Sequence, residues 1–301
     1  FSCVEGFCPS FVTVTGAKPA KRAAAPKPKA AGGDGPAPDE GLPLPKVPPV
    51  ASGRANILVT GIGGTGIVTI GALIGMAAHI EGRAVSVLDQ TGLAQKNGAV
   101  TSHVRVAPVT TPPPGGRVPP ASLDALIAAD MVVAAGAEAR ATYAAGRTRG
   151  VANTHVVPLA SFAIQPDMKL GDGATAMAVE ASIGRDALER IDATRIARAL
   201  FGDSLYANPF LLGLAWQKGL VPVGLEALRE AIRLNGQAVA MNLQAFAWGR
   251  KAAVDRAAVL RAAGLDQPAT ETALPQVAGG PDPETAPLPE LLAFYADELV
   301  R

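Results

Sequence analysis

Cysteine is nearly absent, with Cys3 and Cys8 the only two in 301 residues. A disulfide-stapled scaffold is therefore excluded, and a reducing compartment, the cytoplasm, is the simpler setting. An excess of one charge sign is missing too, since 27 Lys and Arg face 26 Asp and Glu. No broad field argues for a nucleic-acid partner. No apolar run approaches the roughly twenty residues that a membrane-spanning helix needs, which argues against a membrane protein. Phe1 opens no basic-then-apolar leader, so secretion is not signalled. Both ends, Phe1 and the uncapped Arg301, read as cut. A serine-hydrolase elbow, a GKS/GKT loop, HExxH and a two-metal carboxylate cluster are all lacking, so no stand-alone catalytic inventory is present.

What is abundant is glycine and proline, at 33 and 26 residues. With 49% hydrophobic residues the chain is nevertheless too apolar to be unstructured throughout. Residues 1–17 hold one alternating run, FVTVT, that needs a partner outside this stretch. Residues 18–52, rich in Pro and Ala, read as a linker favouring extended conformations. The ordered domain is expected over 53–260, followed by a second Pro- and acid-rich stretch and the start of a further helical segment over 261–301.

Within the domain, residues 57–60 predict a strand, 61–66 a glycine-rich turn, 67–80 a helix and 84–88 a second strand. This is a βαβ succession, for which parallel pairing and a right-handed crossover are the default. A third strand is expected over 101–107, a short helix over 123–128, strands over 131–135 and 155–157, and a helix over 137–145. Helices are expected over 187–200, 209–217, 225–232 and 237–260. The fold class is α/β: a Rossmann-like three-layer domain with a mostly parallel sheet of at least five strands and additional C-terminal helices.

Gly61, Gly63 and Gly66 satisfy G-x-G-x-x-G between a strand and a helix, with Asp89 at the end of the next strand. The spacing matches a dinucleotide fingerprint, in which a tight turn lets an anion approach unpaired helix-start N–H groups. Binding of NAD or a flavin is one reading, and close packing of strand against helix is the other. The polar stretch 89–98, with Asp89, Thr91, Gln95, Lys96 and Asn97, is too polar and glycine-rich for a crossover helix. It reads as either a ligand-binding or an interface loop. His103 and Arg105 share one face of their strand and Ser102 the other. With no second histidine or cysteine nearby, His103 reads as a structural hydrogen-bonding group, and His79 and His155 are weaker candidates still. Gly171-Asp172-Gly173 opens like a thiamine diphosphate motif but lacks its later asparagine, and reads as a surface turn. Cys3 and Cys8 are spaced to ligate one iron–sulfur cluster with two ligands from elsewhere, or to lie buried as free thiols.

The stretches GFCPSFVTV, ILVTGIGGTGIVTIGALIGMAAHIEG, SVLDQTGLAQKNGAVTSHVRVA and NPFLLGLAWQKGLVPVGLEALREAIRLNGQAVAMNLQAFAWGR together resemble the C-terminal portion of the large fused indolepyruvate ferredoxin oxidoreductases. These belong to the 2-oxoacid:ferredoxin oxidoreductase family. The resemblance implies a gamma-type Rossmann-like domain in an enzyme that uses thiamine diphosphate with Mg2+ and [4Fe-4S] clusters. Such an enzyme takes coenzyme A as cosubstrate, reduces ferredoxin, and works as a homodimer. Residues 1–17 resemble the end of the thiamine-binding component, where Cys3 and Cys8 match cluster cysteines. The fragment itself is expected to be structural or to lie near coenzyme A, and to be inactive alone. The loop Gly61, Gly63, Gly64, Thr65 and Gly66 is then expected to face the coenzyme. Many relatives carry glutamine where this chain has Thr65, although the fused indolepyruvate enzymes resemble it in having threonine.

Overall fold

The computed structural model describes residues 38–45, 54–91, 98–110, 115–155, 173–266 and 287. The chain divides into two compact units, Pro28–Asp266 and the joined ends 1–27 and 267–301, and every described element belongs to the first.

Six strands form one sheet: β1 (Ala55–Ile62), β2 (Ala84–Thr91), β3 (Ala99–Ala107), β4 (Ala125–Ala128), β5 (Arg149–Asn153) and β6 (Leu188–Ile191), in the order β2-β3-β1-β4-β5-β6. The pairs β1–β4, β4–β5 and β5–β6 are parallel, whereas β3 runs antiparallel to both β1 and β2. The expectation of a mostly parallel Rossmann-like sheet is corrected by this topology. The sheet is mixed because β3, which begins eight residues after Thr91, pairs antiparallel with β2. In the sheet β3 lies between β1 and β2. Leu88 thus faces His103, and His103 faces Leu58 on the other side.

Alternation along the strands builds two cores. Ile57, Val59, Ile127 and Val151 point into one, together with α1 (Ile67–Ile80), α5 (Ala193–Phe201), α6 (Ala207–Gln217), α7 (Leu225–Asn235) and α8 (Val239–Val254). Leu58, Leu126 and Ala152 point into the other, covered by α2 (Met131–Ala134), α3 (Ala137–Arg140) and α4 (Ala174–Ile183). Gly71 lets α1 sit directly on the sheet, because a Cβ there would overlap the Ser102 side chain. A last short helix, α9 (Arg256–Ala262), follows a break at Asp255, whose side chain accepts from the Ala258 N–H.

Several expected elements change type. Residues 125–128 are a buried strand rather than part of a helix, and 131–134 are a helix rather than a strand. The cause of the second is Asp130, whose Oδ1 accepts from the Val133 N–H at 2.9 Å and starts a helical turn in a β-branched run. The strand expected at 155–157 falls, at 156 and 157, outside the described residues; a strand the sequence did not announce lies at Arg149–Asn153, and β6 lies inside a stretch read as helix. Among the described residues, no helix is long and apolar enough to cross a membrane.

Candidate functional site

The glycine turn leaves the carboxyl end of β1 and enters α1. Gly61 is buried, and a Cβ there would overlap the Ile67 side chain, so its role is close packing of strand on helix. Gly64 and Gly66 have φ of 84° and 88°, left-handed values that L side chains rarely adopt. Gly66 caps α1 without any side-chain hydrogen bond, and the first turn of α1 carries no acidic residue. Gly64, Thr65 and Gly66 are exposed, so this helix start presents its dipole and backbone donors outward.

Two contacts hold the turn. The Gly63 N–H donates to Gly98 O at 2.8 Å, fixing the end of the polar loop beside it. Asn208, in the first turn of α6, donates Nδ2 to Thr65 O at 2.6 Å. Thr65 Oγ1 donates back to Ile62 O at 2.7 Å, leaving its lone pairs free. Beneath the turn lies a cavity of about 110 Å³, between the carboxyl ends of β1, β4 and β5 and the starts of α5 and α6. Since α1 covers one face of the sheet and α2 the other, the gap between β1 and β4 is a topological switch point, the usual ligand crevice of an open α/β sheet.

Asp130, Asn153, His155, Thr194 and Arg198 supply most of the cavity's polar wall. Asn153 is saturated: Nδ2 donates to Thr194 Oγ1 at 2.8 Å and Oδ1 accepts from the Ala193 N–H at 3.1 Å. Asp130 is 3% exposed and its Oδ2 has no hydrogen-bond partner. Burial pushes its carboxyl above the ordinary range, opposed by the Val133 and Val132 N–H groups and by His155. Asp130, Asn153, Thr194 and Arg198 escaped the sequence reading because each stands alone between apolar runs, and His155 was read only as a weak candidate. The only trace was polar punctuation at the ends of ALIA and RGVAN, where strand ends meet the crevice.

Asp89 and Thr91 are exposed on β2, an edge strand separated from the glycine turn by β3. Two strand spacings, roughly 10 Å, thus replace the direct neighbour relation on which a dinucleotide fingerprint depends. Gln95, Lys96, Cys3 and Cys8 lie outside the described residues. His103 and Arg105 are structural. The Val118 N–H donates to His103 Nδ1 at 3.3 Å, so Nε2 carries the proton toward Gln90 Oε1 at 2.9 Å. Arg105 bonds Asn56 Oδ1 at 3.0 Å and Gly115 O at 2.6 Å.

Residues 56–252, well over half the chain and the whole of this site, match the family described as pyruvate ferredoxin/flavodoxin oxidoreductase. The chain belongs to the 2-oxoacid:ferredoxin oxidoreductase family. Within that family it resembles the gamma-type, IorB-like subunit. It is 30% identical over 210 residues to indolepyruvate oxidoreductase subunit IorB of Archaeoglobus fulgidus, covering 67% of this chain and 96% of that protein. To the subunit of the same name from Thermococcus kodakarensis it is 28% identical over 203 residues, covering 66% and 95%. Among solved structures, the gamma subunit of a keto/oxoacid ferredoxin oxidoreductase from Geobacter sulfurreducens is similar at 19% identity and a TM-score of 0.47, over 66% of this chain and 98% of that one.

Membership implies thiamine diphosphate and iron–sulfur chemistry in the complete oxidoreductase. The expectation that this chain is itself an iron–sulfur, metal-binding protein is corrected, because the described residues contain no group of three or more His, Cys, Asp or Glu able to hold a metal ion. The 2-oxoacid:ferredoxin oxidoreductase chain contributes a glycine turn and a polar crevice instead.

Proposed function

We propose that this chain is the gamma-type module of an indolepyruvate, or arylpyruvate, ferredoxin oxidoreductase. In the complete cytoplasmic enzyme, working as a homodimer, the 2-oxoacid is oxidatively decarboxylated to the acyl-CoA while two electrons pass singly to ferredoxin. The observation that carries this reading is the 30% identity running across 96% of an IorB subunit. Thiamine diphosphate supplies the decarboxylation chemistry when bound in the other domains, which are this module's permanent partners. The dinucleotide alternative draws no support from the geometry, since β3 separates Asp89 from the glycine turn.

The part assigned to this chain is to border the coenzyme A. Three features fit a phosphate-bearing cosubstrate: the exposed turn of Gly64, Thr65 and Gly66, an α1 start free of acidic residues, and the cation of Arg198 on the crevice wall. Gln95 and Lys96 precede in the sequence Gly98, whose carbonyl accepts from the Gly63 N–H, and in this reading they extend the same border. Asp89 and Thr91, at the end of β2, are assigned to the same border. The turn orients the cosubstrate and contributes no acid, base or nucleophile.

The test is steady-state kinetics of the complete enzyme. Gly66→Ala forces an L side chain into a left-handed conformation at a cost of about 1–2 kcal/mol. The substitution should raise KM for coenzyme A about tenfold and leave KM for the arylpyruvate within about twofold. Equal effects on both constants would place the turn away from the cosubstrate.

A further inference from the structure

Arg250 on α8 is 2% exposed, a position where an unpaired cation is costly. Its guanidinium lies 4.9 Å from the centroid of the Trp216 ring, and its Nε donates to Gln217 Oε1 at 3.0 Å. Its Nη1 donates to Asp39 Oδ2. The same carboxylate oxygen accepts from Arg229 Nη2 on α7 at 2.9 Å. Gln217, at the end of α6, turns its Nε2 to Pro43 O at 2.6 Å. Three helices thus each direct a polar side chain at one short segment, residues 38–45, whose Asp39 is 5% exposed. The segment folds on itself, with the Leu42 N–H donating to Asp39 O at 3.3 Å.

The two sides of this contact come from different parts of the sequence. Trp216, Gln217, Arg229 and Arg250 lie inside the family-matched stretch 56–252, whereas Asp39 and Pro43 precede it. The family body therefore carries a desolvated guanidinium whose carboxylate arrives from outside. We propose that the cleft among α6, α7 and α8 is a docking site for an acidic, proline-punctuated segment, and that residues 38–45 are its resident occupant. They act as a strap that fixes where the preceding Pro- and Ala-rich stretch leaves the domain. The proposal rests on no reading of the catalytic activity.

The consequence is a shorter tether. Release of the strap would add residues 40–54 to the connection, about 46 Å of reach at roughly 3.1 Å per extended residue. A longer tether lowers the effective concentration of whatever it joins.

Digestion of the full chain by a glutamate-specific endoproteinase reads the strap directly, because Glu40 follows Asp39 and is exposed. Cleavage after Glu40 should be slow in the wild type and about tenfold faster in Arg250→Met and Asp39→Asn, while cleavage at exposed Glu138 stays constant. The double variant Asp39→Ala/Arg250→Met removes both charges, and should regain thermal stability lost by Arg250→Met or Asp39→Ala alone yet remain open at Glu40. If Arg250→Met fails to fold, the isosteric Asp39→Asn carries the test. Equal cleavage at Glu40 in wild type and variants would overturn the proposal, as would strictly additive effects on thermal stability in the double variant.

Discussion

His103 shows how far a single side chain can be read from its bonds. Its Nδ1 accepts from the Val118 N–H, so protonation of that nitrogen would set two donors against each other. Burial holds its pKa below the ordinary value, reinforced by Arg117 and opposed by Glu138 and Asp89. A depressed base binds protons more readily when unfolded, so its stabilising contribution is present above the unfolded value near 6.5 and is lost as pH falls through the folded one. The thermal midpoint should therefore drop between pH 7 and pH 5, and His103→Gln should flatten that slope, as measured by calorimetry. Asp130 has the opposite sign. Its raised carboxyl is neutral longest in the folded state, so ionisation erodes stability as pH rises through the folded value. Asp130→Asn keeps an acceptor for Val133, and its stability relative to wild type should be higher at pH 7 than at pH 4. The structural reading of His103 was available from sequence because no second histidine or cysteine lies near it, and strand alternation set it with Arg105 on one face. Asp130 was not legible, because its significance comes from β1 and β5 ending beside it.

At the scale of elements, two glycines decide the helical layer. A Cβ on Gly213 would overlap Phe246 O, and one on Gly249 would overlap Phe210 O, so α6 and α8 cross with backbones in contact. Gly249→Ala should cost about 3 kcal/mol, lowering the thermal midpoint by roughly 6–12 °C, because the obstruction is main chain and cannot rotate away. Long periodic helices such as α1 and α7 were readable from sequence within a few residues. Short apolar runs were not. ALIA and MVVA look alike as patterns, yet the first is a strand buried on both faces and the second a capped helical turn. A strand covered on both faces shows no alternation to detect. The polarity of residues 89–98 argued against a crossover helix there, and β3 pairs antiparallel with β2. That β3 lies between β1 and β2 depends on pairing, which a single strand's sequence does not encode.

For the whole molecule, the family was visible before the fold was right. Long specific stretches such as LDQTGLAQKNGAVTSHVR carry the resemblance, whereas G-x-G-x-x-G alone pointed toward a parallel sheet and a dinucleotide. The mixed topology separates those readings: it keeps the glycine turn at a ligand crevice while removing Asp89 from its neighbourhood. The cavity polar groups come from five separate places in the chain, so no local motif announces them. The central claim is that this domain serves coenzyme A-dependent transfer of electrons from an arylpyruvate to ferredoxin. The most direct measurement is anaerobic ferredoxin reduction by the purified complete enzyme, with indolepyruvate and coenzyme A supplied singly and together and NAD offered as a rival acceptor. The account predicts sustained ferredoxin reduction only when both substrates are present, with none to NAD; turnover indifferent to coenzyme A, or direct reduction of NAD, would contradict it.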